Sequence, residues 1–334
     1  MKLFLCITAL TFIFNYIQCS PPTLFTVFYK NIKLKSYALS TFSITNGSLI
    51  NTHPIANLTS ISFYSLDYIA KTDSEGNFYA VGTSFSPQDS MVGLYCISPE
   101  GHLVNVSKLV NTNVYAYVPT QNSFGFDVED NSALYGSTQL GGIVVYAVIN
   151  IYNFNNPKKS YLVNITDDTD GAVGAYDPEN KIYYLFNKDG LTGNFTLFSY
   201  SLNSKELLPP IQVLNFEQFF MNTYLVYGGG GQLFVVGDYY VNPKNTTFVI
   251  YLLDTESGLL KQIYQTETSD GHYYSYFWVT DDNQYLVFIT ALSYHDTPTI
   301  YTFDMSTFEI TQTPLVGFPL DTPIDVDYVP AWVY

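Results

Sequence analysis

The chain repeats itself about every fifty residues, and a period of that length restricts the fold to an array of like units. Six times, a tyrosine- and valine-rich strand meets a tight acidic or glycine turn and returns as another strand. The turns centre near Glu75, Asp130, Glu179, Gly230 and Asp282, with steps of 55, 49, 51 and 52 residues, and one further step reaches Tyr334. Each repeat holds two hairpins. The inner pair is clearest at Ala175-Tyr176-Asp177-Pro178-Glu179-Asn180-Lys181-Ile182-Tyr183-Tyr184 and from Trp278 to Val287. The outer pair is clearest from Val249 to Leu260, with counterparts turning near Gly47, Gly101, Asn155, Asn203 and Thr307. Asp, Asn and Gly dominate these turns because they accept the backbone angles a tight hairpin needs.

Period-2 alternation and 31 Tyr with 25 Phe mark an all-β chain, and no stretch carries a convincing amphipathic helix. Four strands per repeat read as a propeller blade, and six outer hairpins give a six-bladed β-propeller with four antiparallel strands per blade. The sixth inner strand, Ile324 to Val329, runs into the chain end without a partner, while Leu24 to Tyr29 stands unpaired at the start. Joining them lets the N-terminal strand complete the last blade and close the ring, which removes a sheet edge. Three β-sandwich domains would need linkers near residues 120 and 225. Tyr224 to Tyr227 is instead a strand, followed by a glycine turn from Gly228 to Gly231. The strand-turn-strand repeat resembles the YVTN and quinoprotein-like group of secreted β-propellers, without the signature dipeptides of WD40 or kelch repeats. The resemblance implies a fold only.

Residues 1–20 read as a cleaved signal peptide: Lys2 is the charged start, Leu3 to Phe14 the apolar stretch, and cleavage is expected after Cys19 or Ser20. Residues 21–334 then form one propeller domain, large enough to bury a core without disulfides. No later segment is apolar enough to span a membrane. The expectation is a secreted, extracellular monomer with Cys96 as its single cysteine, read as a buried structural thiol. Sequons at Asn46, Asn57, Asn105, Asn164, Asn194 and Asn245 make it a candidate glycoprotein. Five of them, all but Asn57, fall in or beside the outer strands of a repeat. Thirteen lysines, no arginine and 29 acidic residues give a net charge of −16. That balance argues against nucleic acid and anionic membranes as partners.

In a propeller the blade-to-blade loops and the second-to-third loops share one face around the channel mouth. The loops expected there, at about 54–62 and 266–273 and at 291–298 among others, hold His53, His272 and His295. The tightest constellation is Asp270 and His272 with His295 and Asp296, all within one repeat. Imidazoles beside carboxylates can hold a divalent metal or act as acid and base; equally, such residues are common in hydrated loops. Asn164 to Gly171 offers Asp167, Asp168 and Asp170 as oxygen ligands for Ca²⁺ or another divalent metal, but lacks the closing glutamate and the helices of an EF-hand. No nucleophile elbow, zinc-protease helix or phosphate loop appears, and the aromatic run from Tyr273 to Trp278 suits packing between blades. The leading functional reading is a non-catalytic module binding an extracellular protein or glycan. Its rival is a metal-dependent hydrolase or lactonase with its ion at the channel mouth.

Overall fold

The computed structural model describes residues 22–31, 36–55, 63–72, 77–85, 90–111, 117–127, 129–141, 144–153, 155–156, 159–166, 169–216, 222–242, 245–269, 273–280, 284–291, 299–316 and 331–333. Among these residues the strands form six antiparallel sheets, and none closes on itself as a barrel would. The first sheet joins both ends of the chain. It contains β1 (Leu24–Asn31), β2 (Ser36–Ser43) and β3 (Leu49–Ile55), with β25 (Ala331–Val333) on the free side of β1. The second runs β4 (Phe63–Thr72), β5 (Phe78–Phe85), β6 (Ser90–Ile97), β7 (Leu103–Asn111). The third runs β8 (Tyr117–Asp127), β9 (Ser132–Gly141), β10 (Val144–Asn153), β11 (Tyr161–Thr166).

The fourth sheet begins with β12 (Gly171–Asp177), β13 (Ile182–Lys188) and β14 (Phe195–Ser201), and its outer position is shared by two fragments, β15 (Glu206–Leu207) and β16 (Ile211–Gln212). Pro209 and Pro210 separate these fragments. Neither proline has an N–H for the ladder, so the edge strand breaks there. The fifth sheet runs β17 (Asn222–Tyr227), β18 (Leu233–Asn242), β19 (Asn245–Leu253), β20 (Leu260–Ser269), and the sixth β21 (Tyr273–Val279), β22 (Tyr285–Ala291), β23 (Thr299–Asp304), β24 (Ile310–Pro314).

The core lies between sheets, which explains why these strands are apolar on both faces. Leu134, Ile149, Tyr176, Tyr183 and Leu185 join the third sheet to the fourth. Phe186, Leu197, Leu225, Val235 and Val249 join the fourth to the fifth. Phe234, Phe248, Phe288, Phe303 and Met305 join the fifth to the sixth. In that last layer Phe248 meets Phe288 at 4.9 Å between ring centroids, and Phe234 meets Phe303 edge-on at 6.2 Å. Each such ring contributes about 1.5–3 kcal/mol by leaving water. The innermost strands also touch in sequence: β4 against β8, β8 against β12, β12 against β17, β17 against β21, β21 against β25 and β25 against β4.

Outer turns lock neighbouring sheets. The N–H of Leu214, beyond β16, donates to the carbonyl of Gly258 at 2.9 Å, in the outer turn of the next sheet. The N–H of Val316, beyond β24, donates in the same way to Gly47 of the first sheet at 2.7 Å. Both glycines have positive φ, 72° and 70°. A Cβ on Gly258 would overlap the carbonyl oxygen of Gln212, and one on Gly47 that of Pro314. The joint between the last sheet and the first thus repeats the chemistry of an internal joint.

Two expectations from sequence need correction. The described segment that pairs with β1 is Ala331–Val333, which the sequence reading did not mark as a strand; Ile324 to Val329 lies outside the described residues. As the partner of an inner strand, β1 takes the second place of its sheet, between β25 and β2. His53 sits in β3, opposite Leu39, rather than in a connecting loop. The adjacent Pro54 does not end that strand because β3 is an edge.

Candidate functional site

Asp270, His272, His295 and Asp296 lie outside the described residues, as do Asp167, Asp168 and Asn57. Asp170 is described, and its exposed carboxylate forms an ion pair with Lys188. Its backbone N–H donates to Lys188 O at 2.9 Å, and Thr169 Oγ1 donates to Asn187 Oδ1 at 2.5 Å. This loop is therefore pinned to the end of β13. Asp189, at the neighbouring connection, caps its own turn: Oδ1 accepts from Leu191 N at 3.1 Å, Thr192 N at 2.6 Å and Thr192 Oγ1 at 2.8 Å. Those bonds, led by the Thr192 N–H, hold its carboxyl below the usual carboxylate range. Among the described residues no three His, Cys, Asp or Glu side chains converge as metal ligands. Asn46, Asn164 and Asn194 are exposed, Asn105 lies in β7 and Asn245 opens β19.

A different constellation gathers where the innermost strands end. Antiparallel order places the turn after each innermost strand at one end of its sheet, and side-chain contacts bring three of these turns together. Lys181 Nζ, from the β12–β13 turn, lies 2.7 Å from Glu129 Oε2 and 3.5 Å from Asp127 Oδ2, both at the β8–β9 turn. The N–H of Gly230, in the β17–β18 turn, donates to Glu179 Oε1 at 3.3 Å. The hydrogen bond to Glu129 raises the Lys181 pKa, and the same bond lowers that of Glu129.

Beneath this surface lie two repeat-equivalent carboxylates, Asp127 ending β8 and Asp177 ending β12, both buried. Asp177 is satisfied: Oδ1 accepts from Glu179 N at 2.9 Å and Asn180 N at 3.0 Å, and Oδ2 from Asn180 Nδ2 at 2.8 Å. Asp127 Oδ1 accepts from Glu129 N at 3.1 Å, and its Oδ2 faces the Lys181 ammonium at 3.5 Å. The hydroxyl of Tyr176 is sealed from water and has the Asp127 carboxylate as its polar neighbour. Burial first, then the charges of Asp127 and Asp177, drive the Tyr176 pKa strongly upward. Tyr184 is pushed up to about 12 by burial and by Asp177. Tyr176 reaches this position because Gly125 has no side chain; a Cβ there would overlap the tyrosine.

Sequence reasoning overlooked this group by treating inner turns as turn chemistry alone. A signal was present: Glu129 and Glu179 recur one period apart, and Lys181 stands where the preceding repeat has Asn131.

No protein-family model and no curated protein sequence matches the chain. Among solved structures, TolB from Acinetobacter baumannii is similar with a TM-score of 0.53 at 12% identity, over 93% of this chain and 66% of TolB. The chain thus spans just under two thirds of that protein. Oligogalacturonate lyase from Vibrio parahaemolyticus matches with a TM-score of 0.47 at 10% identity, over 88% of this chain and 74% of the lyase. The β-propeller domain of the trilobed protease from Pyrococcus furiosus matches with a TM-score of 0.47 at 12% identity, over 89% of this chain and 82% of that one. These neighbours are β-propeller proteins, and the fold of this chain is propeller-like. No helix among the described residues is long and apolar enough to cross a membrane.

Proposed function

We propose that the protein is a secreted or cell-surface glycoprotein whose six sheets are the blades of one closed propeller, acting without catalysis as a binding module for an extracellular protein or glycan. The closed ring is supported by the contact order of the innermost strands, which returns from β21 through β25 to β4. The pairing of Phe25 with Val333 and Thr26 with Trp332 ties the chain ends into one blade. Such a ring presents turns from every blade at two ends.

One observation carries the binding reading: carboxylates at the turns hold their own backbone. Asp189 does so beside the expected ligand face, and Asp254 and Asp304 do so in the outer turns. Asp254 Oδ1 accepts from Glu256 N at 2.8 Å and Ser257 N at 3.0 Å, and Asp304 Oδ1 from Ser306 N at 2.8 Å and Thr307 N at 3.1 Å. Groups engaged in this way shape a surface rather than attack a substrate.

The test is to express the chain in a secreting eukaryotic host, map glycans by mass spectrometry, and assay the product by elemental analysis and on glycan and extracellular-protein arrays. The reading expects secreted protein with glycans at exposed sequons such as Asn46, Asn164 or Asn194, a specific array ligand, and no stoichiometric metal. One tightly held divalent ion per chain with turnover of an ester or lactone would overturn it in favour of an enzyme.

A further inference from the structure

We infer that Asn245 carries an N-linked glycan added before the fifth sheet forms, and that the hydroxyl of Thr247 serves this addition and nothing in the finished fold. The inference rests on the glycoprotein part of the reading above. It fixes one site and its place in the folding sequence.

Asn245, Thr246 and Thr247 make a sequon, and they open β19, the third strand of its sheet. All three lie inside the ladder. On one side Thr246 pairs with Tyr240 and Thr247 with Tyr239 of β18; on the other Asn245 pairs with Ser269, Thr246 with Thr268 and Thr247 with Glu267 of β20. The other described sequons are placed differently. Asn46 is in an outer turn, Asn105 and Asn164 lie in the edge strands β7 and β11, and Asn194 precedes β14.

Thr247 is fully buried, and its Oγ1 has no hydrogen-bond partner. A buried hydroxyl in that condition keeps the cost of its lost hydration. Valine would fill the same space with a methyl group and carry no such cost. The fold therefore gains nothing from the oxygen at position 247. The sequon does, because Asn245 is an acceptor only with a hydroxyl two residues after it. One observation comes from packing and the other from sequence, and they meet on the same atom.

The fold also sets the timing. A transferase must hold Asn245 and the Thr247 hydroxyl together in its own site, and the finished sheet buries that hydroxyl between β18 and β20. The strand β20 spans Leu260–Ser269. At about 5–20 residues per second it follows the sequon out of the ribosome within seconds, so transfer competes with closure of the sheet. In the transfer, Asn245 Nδ2 bonds to the anomeric carbon of an oligosaccharide carried on a lipid pyrophosphate. The sugar–phosphate bond breaks, the lipid pyrophosphate leaves with the electron pair, and the amide loses one proton.

The test begins with the full chain from a secreting eukaryotic host, mapped by mass spectrometry. Wild type and Thr247→Ser should carry a glycan at Asn245, and Thr247→Val should lose it there alone. Unmodified full chain from a bacterial host, folded, is then offered to an oligosaccharyltransferase with its lipid-linked donor, beside a synthetic peptide of residues 240–252. The peptide should be modified at least about tenfold faster than Asn245 of the folded chain, because only the peptide leaves the Thr247 hydroxyl open. In the same unmodified protein Thr247→Val should raise the melting temperature by about 2 °C. Equal rates for peptide and folded chain would overturn the inference. So would a Thr247→Val variant that melts lower than wild type, since the hydroxyl would then serve the fold. Glycans at Asn46, Asn164 or Asn194 with none at Asn245 would overturn it while leaving the glycoprotein reading intact. Secreted protein with no glycan at any sequon would bring down that reading itself.

Discussion

Among the described residues, five outer turns contain a residue with positive φ, yet only three fill that place with glycine. Gly47, Gly101 and Gly258 have φ of 70°, 83° and 72°, while Lys205 and Phe308 adopt 61° and 62°. The turn bond is the same in each kind: Lys205 N donates to Ser201 O at 2.8 Å, as Gly258 N donates to Asp254 O at 2.9 Å. Left-handed backbone costs a non-glycine residue about 1–2 kcal/mol, and Lys205 and Phe308 bear it. What differs is the neighbour. Gly47 and Gly258 press against backbone carbonyls of the preceding sheet, and a Cβ has no room. Gly101 approaches Pro54 O more loosely, with 3.4 Å to a Cβ placed there. Glycine in these turns therefore marks joints between sheets rather than turn chemistry, and the Gly47 joint links the last sheet to the first.

The largest expected effect comes from removing one side of that joint. Deleting residues 22–31 takes β1 from between β25 and β2, and should abolish cooperative unfolding of the secreted chain by calorimetry. A truncated protein that melts within a few degrees of the full chain would break the comparison. Next come the glycines. Gly47→Ala and Gly258→Ala should each cost about 2–4 kcal/mol in denaturant unfolding, combining backbone overlap with left-handed strain. Gly101→Ala should cost about 1 kcal/mol, from strain alone. Lys205→Gly should stay within about 0.5 kcal/mol, because relief of strain offsets lost chain stiffness. Equal costs at all four positions would mean that φ, not the joint, explains the glycines.

A smaller effect belongs to acid. Burial pushes the Asp304 carboxyl up, but hydrogen bonds from Ser306 and Thr307 outweigh it and hold the pKa below the ordinary value. Asp254 is lowered by the N–H groups of Ser257 and Glu256. A pKa depressed in the folded state gives stability that is present above the unfolded value, near 4, and lost as pH falls through the folded one. Wild-type melting temperature should therefore drop below about pH 4. Asp304→Asn retains an oxygen for the turn without a titrating charge, so its curve should be shallower there. A parallel curve would remove Asp304 from the account.

Much of this architecture could be read from the sequence because repetition and turn chemistry are local. Asp130, Glu179 and Gly230 each lie in a turn between a first and second strand, and Gly47, Gly101 and Gly258 each lie in an outer turn. Errors arose where tertiary contacts decide. Ile324 to Val329 alternates over six residues and drew the strand assignment, whereas Ala331–Val333, too short to carry a pattern, pairs with β1. His53 was assigned to a connecting loop because sequence does not show that β3, an edge strand, runs on through Pro54 to Ile55. The inner-turn group was hidden for the same reason: Lys181 meets Glu129 only once two sheets are side by side. His272 and His295, with Asp270 and Asp296, and two of the three loop aspartates fall outside the described residues, so their convergence stays an expectation of the sequence.

The central claim is a ring closed by its two ends, and cysteine pairs across β1 and β25 test it most directly. Phe25 faces Val333 and Thr26 faces Trp332. Opposed positions alternate between hydrogen-bonded and non-hydrogen-bonded pairs, so one of these two has the closer side chains that a disulfide favours. Phe25→Cys/Val333→Cys and Thr26→Cys/Trp332→Cys should be oxidised in the native protein. At least one should give an intramolecular crosslink between the chain ends, visible as faster migration under non-reducing conditions, with a higher melting temperature that reverts on reduction. Two variants that both keep free thiols under oxidising conditions while folded would contradict the closed ring.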